Sequence, residues 1–210
     1  MINVNTKLLI LSIFIFALIN TLSKNVFSKD SKLIRIEEVH KSLKEKDFKK
    51  ALSSLNEMSN KNNLHAQHLF SQIFYSGNIV PQDFEKAYFW SNAANLGGFK
   101  KAKFLVSRLD NILDSKQKLE IHEKIRVFLE NLAMEKNKLA ILQVAKWHLT
   151  LAEEVDYSNA YKWYNVAVAI GIKTAIKKRN EMIEELNSEE ILKAQQLSNQ
   201  IFNKINKNGG

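Results

Sequence analysis

Laid against itself at an offset of 73 residues, the chain repeats. "KAYFWSNAANLGG" at 86–98 returns as "NAYKWYNVAVAIG" at 159–171. The same offset pairs Asp83 with Asp156, Ala87 with Ala160, Tyr88 with Tyr161, Trp90 with Trp163 and Asn92 with Asn165. It continues through Ala94 and Ala167, Gly98 and Gly171, Ala102 and Ala175, Leu113 and Leu186, Ser115 and Ser188, and Leu119 and Leu192. Stepping back 36 residues from Asp83 and Ala87 reaches Asp47 and Ala51, with Phe48 matching Phe84. Periods of this size mark arrays of helix hairpins, each of which buries its apolar face only by stacking on a neighbour. Composition permits this: proline occurs once (Pro81) and glycine six times in 210 residues, so helices run with few breaks.

Each shared position has a physical task. Asp47, Asp83 and Asp156 stand at helix starts, where a short carboxylate accepts unpaired backbone N–H groups. Ala51, Ala87 and Ala160 follow one turn later, small enough to let a partner helix approach. Trp90 and Trp163 lie three residues further on the same face and fill the gap between successive hairpins. Gly98 and Gly171 end the helix in a left-handed turn, and Ser115 and Ser188 are expected to cap one more helix each. Ten helices result: three core pairs, and two extra pairs near 99–133 and 172–205.

With these positions fixed, "AQHLFSQIFYSGNIVPQDFEKAYFWSNAANLGGFKKA" (66–102) resembles the Sel-1-like repeat (SLR), a relative of the tetratricopeptide repeat. The matching positions are Ala66, Phe70, Ser71, Phe74, Gly77, Val80, Asp83, Lys86, Ala87, Trp90, Ala94, Gly98 and Ala102. The resemblance covers most of residues 40–200 and implies an all-α fold, an α-α superhelix of helix pairs, over residues 32–206. The chain departs from the pattern at Phe70-Ser71, which replace Leu-Gly, and at Ile79, which replaces the second turn glycine. In the last repeat Ala140 matches Ala66 at an offset of 74, with a loop one residue shorter that lacks its glycines.

The amino terminus reads separately. Lys7 precedes an apolar run from Leu8 to Ile19, which as a helix would span about 18 Å against a hydrocarbon core of about 30 Å. The reading is a secretory signal peptide over residues 1–23, with cleavage as late as 28. The alternative is an uncleaved tether to the inner membrane. Export places the mature chain in the periplasm or outside the cell, and residues 207–210 read as a disordered tail. Cysteine is absent, which excludes disulfides, zinc-thiolate sites and cysteine nucleophiles. The net charge of +9 is carried mostly by lysine, arginine standing only at 35, 108, 126 and 179. Nucleic-acid readers favour arginine for bidentate recognition, so the reading is a solvated lysine-rich surface, with no nucleic acid as partner.

No phosphate-binding loop, nucleophile elbow or metalloprotease motif occurs. His65 and His68, three apart on a helix, lack an obvious carboxylate and read as surface or groove histidines rather than a metal pair. Glu153, Glu154 and Asp156 fall before a helix start and read as solvated acids. His148, on an apolar stretch, reads as a packed residue. No catalytic residue, metal or cofactor is expected. What remains is binding, since stacked hairpins present a groove lined by the first helix of each pair. Helical spacing turns His68, Gln72 and Tyr75 of one such helix, and Leu142, Lys146 and Leu149 of another, toward that groove. The resemblance implies an exported, non-enzymatic scaffold or adaptor of the cell envelope whose partner is another protein or peptide. The competing readings are an envelope enzyme of the β-lactam- or peptidoglycan-interacting type and a membrane-tethered assembly factor.

Overall fold

A computed structural model describes residues 35–207, and the signal-peptide reading therefore lies outside the described residues. The chain divides into two units, residues 1–54 and 55–210. In the first, a helix (α1) is described from 35 to 44 and α2 starts at Phe48, running on to Asn60. Lys46 adopts a left-handed φ of 61° between them, and Asp47 accepts the Lys50 N–H at 3.1 Å. Asp47 is thus the helix cap that its place in the repeat predicted.

The second unit carries α3 (Leu64–Ser76), α4 (Phe84–Leu96), α5 (Ala102–Asp110), α6 (Ser115–Met134), α7 (Lys138–Thr150), α8 (Tyr157–Ala169), α9 (Ala175–Ile183) and α10 (Ser188–Lys207). Every described element is helical. The lengths are 13, 13, 9 and 20 residues for α3–α6, and the same four lengths recur in α7–α10. The duplicated unit is therefore a block of four helices, in which each extra pair belongs to the repeat as firmly as the pair before it. Within this unit α3 packs on α4, α4 on α5, α6 on α7, α7 on α8 and α8 on α9, while α4 also packs on α6 and α7, and α10 packs on α8 and α6. This is an all-α array of helix hairpins stacked in series, the fold class that the repeat implied.

Turn chemistry explains why the helices stop where they do. Gly98 and Gly171 take φ of 92° and 89°, and each allows the next residue to donate back five positions, Phe99 to the Ala94 carbonyl and Ile172 to that of Ala167. The α2–α3 and α6–α7 turns repeat this geometry on side-chain-bearing residues, Asn62 (φ 62°) and Lys136 (φ 64°). Asn63 and Asn137 follow as caps. The α7–α8 loop, one residue shorter than its counterpart and free of glycine, still delivers the Asp156 N–H to the His148 carbonyl, as the α3–α4 loop delivers Asp83 to Phe74.

The caps at Asp83 and Asp156 form as expected, accepting from Lys86 N and Asn159 N at 2.8 and 2.9 Å. Those at Ser115 and Ser188 do not. Asp114 and Asn187, one residue earlier, take the capping role, and each closes a reciprocal box with Gln117 or Glu190 three residues on. A carboxylate or carboxamide with an acceptor-bearing partner at the third helical position outcompetes a lone hydroxyl.

Ala87 and Ala160 are fully buried, and Trp90 and Trp163 nearly so. Trp90 lies with its ring centroid 5.8 Å from Phe70 of α3 and 5.6 Å from Phe128 of α6, so the indole is the wedge between hairpins. Gly97 has a different task. A Cβ there would come within 2.3 Å of Leu64, so the bare backbone is what lets the start of α3 approach the end of α4.

Candidate functional site

Where α7 crosses the block α4–α6, the four helices leave an open cleft of about 400 Å³. Tyr88, Asn92, Asn95 and Leu96 of α4 form one wall. Val106 and Asp110 of α5, His122 of α6, and Lys146 and Thr150 of α7 with Leu151 beyond it complete the lining. Its placement follows from the packing. Tyr88 and Asn92, one helical turn apart, are buried on the face of α4 that meets the next pair, and the Asn92 carboxamide donates to the Tyr88 carbonyl at 3.0 Å.

The floor is a connected polar group. Tyr88 donates its hydroxyl to Asp110 Oδ1 at 2.6 Å, and the Tyr88 hydroxyl oxygen lies 3.1 Å from His122 Nε2. The Tyr88 and His122 rings stack at 5.7 Å. Burial, with the neighbouring Asp110 carboxylate, pushes the phenol well above its ordinary range. Burial also lowers His122, so the imidazole is neutral at pH 7. Trp147 anchors α7 to the same place by donating its indole N–H to the His122 carbonyl at 2.8 Å. The second copy of the block has Gln195 where His122 stands and Ile183 where Asp110 stands. There Gln195 donates to the Tyr161 hydroxyl at 3.1 Å. A buried tyrosine tip bonded to the long helix of the next pair is thus a repeated joint, whereas the carboxylate is particular to the first copy.

Lys146 supplies the cleft's cation. Its ammonium donates to the Leu96 carbonyl at the end of α4 at 3.0 Å, a position that also favours positive charge through the helix dipole. Half burial lowers its pKa from the ordinary lysine value. Among the described residues no carboxylate lies within ion-pairing distance of it.

The structure does not bring the six sequence-predicted groove residues into one surface. Lys146 lines the cleft. Gln72, its counterpart in α3, is exposed. Tyr75 is half-buried, packs with its ring tilted against Phe84 at 5.7 Å and accepts from Arg108 at 3.2 Å. Leu142 and Leu149 are half-buried against the core. His68 is the correction: it is 8% exposed, because Phe99 from the α4–α5 turn covers its ring at 5.0 Å. Burial lowers its pKa, with the neighbouring His65 and Lys101 acting in the same direction. Helical spacing places a residue on a face of its own helix but carries no information about what a later loop lays over that face.

The other sequence candidates are accounted for by packing. Asp156 caps α8, while Glu153 and Glu154 are exposed. His148 is buried, 3.6 Å from Asp156, and desolvation lowers its pKa to about 4. Beside it Arg126 bridges Glu123 and Glu130, and its guanidinium lies 5.9 Å from the Trp147 ring. No group of three metal-ligating side chains is assembled among the described residues, and no described helix is long and apolar enough to cross a membrane.

No family model matches this sequence, and no curated protein is similar to it. Among solved structures the chain is similar to a protective antigen present in uropathogenic Escherichia coli strains and displaying an SLR fold. The two are 18% identical at a TM-score of 0.37, over 74% of this chain and 41% of that one. The chain therefore spans less than half the length of that protein.

Proposed function

We propose that this protein is an exported, non-enzymatic Sel-1-like repeat scaffold of the cell envelope that holds a peptide segment of another protein in the cleft between α4 and α7. The observation that carries the reading is the cleft itself, about 400 Å³ and open to solvent, with apolar and hydrogen-bonding side chains converging from four helices. Binding there requires no covalent step. A preformed pocket on packed helices loses little entropy on capture, and a few placed polar groups give selectivity. Export follows from the apolar run after Lys7, and the periplasm or the exterior is the proposed location. If the run is retained, the same scaffold becomes a membrane-tethered assembly factor, and amino-terminal sequencing of the mature protein decides between the two.

The rival from another class is a hydrolase using Tyr88 and His122. The second copy argues against it, since Tyr161 makes the same joint with a glutamine, which cannot act as an acid or base at neutral pH. The test has two arms. Capture from envelope extracts should retain a protein with the wild type and lose it with Lys146→Glu, while the melting temperature falls by only a few degrees. Steady turnover of nitrocefin or peptidoglycan by the purified protein would replace this reading with the enzymatic one.

A further inference from the structure

Which ligand chemistry the cleft selects follows from its one cation. Lys146 has three N–H donors and spends one on the Leu96 carbonyl. The other two have no side-chain partner among the described residues, although the ammonium is half-buried at the cleft wall, where an unpaired charge is costly. Asn95 lines the same wall half-buried, and its carboxamide makes no hydrogen bond within the described residues. Thr150 turns its own hydroxyl back to the Lys146 carbonyl at 2.9 Å and so offers no competing donor. Leu96, Val106 and Leu151 form an apolar surface beside these donors. Asp110 has one oxygen engaged by Tyr88 and is exposed, which leaves the second oxygen to accept an N–H and makes that end of the cleft hostile to a second anion.

We infer that the cleft takes a monocarboxylate attached to an apolar group and an amide, the chemistry of a peptide's carboxyl-terminal residue. The carboxylate sits on Lys146 and Asn95, the apolar side chain lies along Leu96, Val106 and Leu151, and the amide N–H reaches Asp110. The chain's positive net charge of +9 favours the approach of an anionic ligand. The inference rests on the binding-cleft reading above and adds the class of ligand to it.

The probes are N-acetyl-leucine and N-acetyl-leucinamide, which differ only at the terminal group, an anionic carboxylate in one and a neutral carboxamide in the other. Each is titrated into the full chain while side-chain amide signals of Asn92 and Asn95 are followed by two-dimensional NMR. The expected result is saturable shifts at millimolar acid, at least tenfold weaker with the amide and at least tenfold weaker with acid on Lys146→Met. Equal response to acid and amide overturns the inference and leaves a binding cleft. Silence of the cleft signals to both overturns the inference and the cleft reading together. Shifts spread over exposed lysines, abolished by moderate salt and unchanged in Lys146→Met, also overturn it. The acid–amide comparison on the wild type holds even if the variant folds poorly.

Discussion

Gln143 offers the sharpest test of how the second unit is held together. It is fully buried on α7 and reaches both α4 and the α2–α3 turn. Its Nε2 donates to the Ala93 carbonyl of α4 at 2.8 Å, and its Oε1 accepts from Asn62 Nδ2 at 2.6 Å. Asn62, the left-handed residue of the α2–α3 turn, in turn accepts from Gln67 of α3 at 3.1 Å. Replacing Gln143 with leucine keeps the volume and deletes both bonds. The Ala93 carbonyl keeps its helical donor, the Gly97 N–H, so losing that bond costs about 1 kcal/mol. The Asn62 amide is left buried with only a long 3.4 Å contact to Asn137, which costs a further 1–3 kcal/mol, roughly, for an unsatisfied donor. The expected destabilisation is about 2–4 kcal/mol by equilibrium urea unfolding.

The network argument makes a second, stricter demand. Removing both partners of a buried hydrogen bond costs far less than removing one. The Gln143→Leu, Asn62→Ala double variant should therefore lose at least about 1 kcal/mol less than the two single losses added together. Strict additivity, or a Gln143→Leu protein within about 0.5 kcal/mol of wild type, would refute the claim that this chain of carboxamides fastens α7 to the preceding block.

Other consequences can be checked on the same protein. Trp163→Ala should cost about 3–5 kcal/mol by urea unfolding, because the buried indole leaves a void between packed helices. Gly98→Ala and Gly171→Ala meet no steric obstacle but force a left-handed φ on a side-chain-bearing residue, so each should lose about 1–2 kcal/mol in thermal melts. Asp83→Ala removes a cap and should lose about 1 kcal/mol, with Asp83→Ser recovering most of it. His148 is held neutral in the folded chain, its pKa lowered to about 4 by burial, with Asp156 and Glu123 opposing that shift and Lys162 and Arg126 reinforcing it. The unfolded chain binds the proton first, so this stability is complete above about pH 6.5 and is lost as pH falls toward 4. Comparing melts at pH 7 and 5 should show a steeper loss for wild type than for His148→Phe.

The repeat made the scaffold legible. Asp47, Asp83 and Asp156, the buried alanines, both wedge tryptophans and the two left-handed glycines stand where their spacing put them. These positions are readable because each answers a local demand, such as an orphan N–H or a left-handed turn, that recurs wherever the chain recurs. The caps of α6 and α10 were misread because only the serines coincide at the offset of 73, whereas the acceptors doing the work are Asp114 and Asn187, chemically alike but not identical. The cleft was harder still. Tyr88, Asp110 and His122 are 22 and 34 residues apart, and nothing in helical periodicity joins α4 to the ends of α5 and α6. Lys146 was found on helical spacing, and its companions lay on helices that the sequence offered no reason to group with it. Comparing the two copies for their differences, His122 against Gln195 and Asp110 against Ile183, is the signal that could have located the cleft.

That comparison also bears on how an array of similarly built parts would acquire the proposed binding cleft. Tyr88 and Tyr161 occupy one structural role, each 2% exposed and each sending its hydroxyl to the long helix of the following pair. If that joint alone made a site, the second copy would have one too. The first copy adds two things. Asp110 puts a carboxylate on the joint, where Ile183 cannot. The following block then lays α7 across α4 and brings Lys146 to the end of that helix. The residue equivalent to Lys146 one block earlier is Gln72, which is exposed and uncharged. Opposite charges on the walls of one cleft thus come from two positions at which the copies differ in chemistry, Asp110 against Ile183 and Lys146 against Gln72. Stability requires the copies to agree at the caps, alanines and indoles, since each of those positions serves the stack. Recognition at the proposed cleft would need no such agreement, and selection for a ligand there would act on Asp110 and Lys146 without disturbing the joints that hold the helices together.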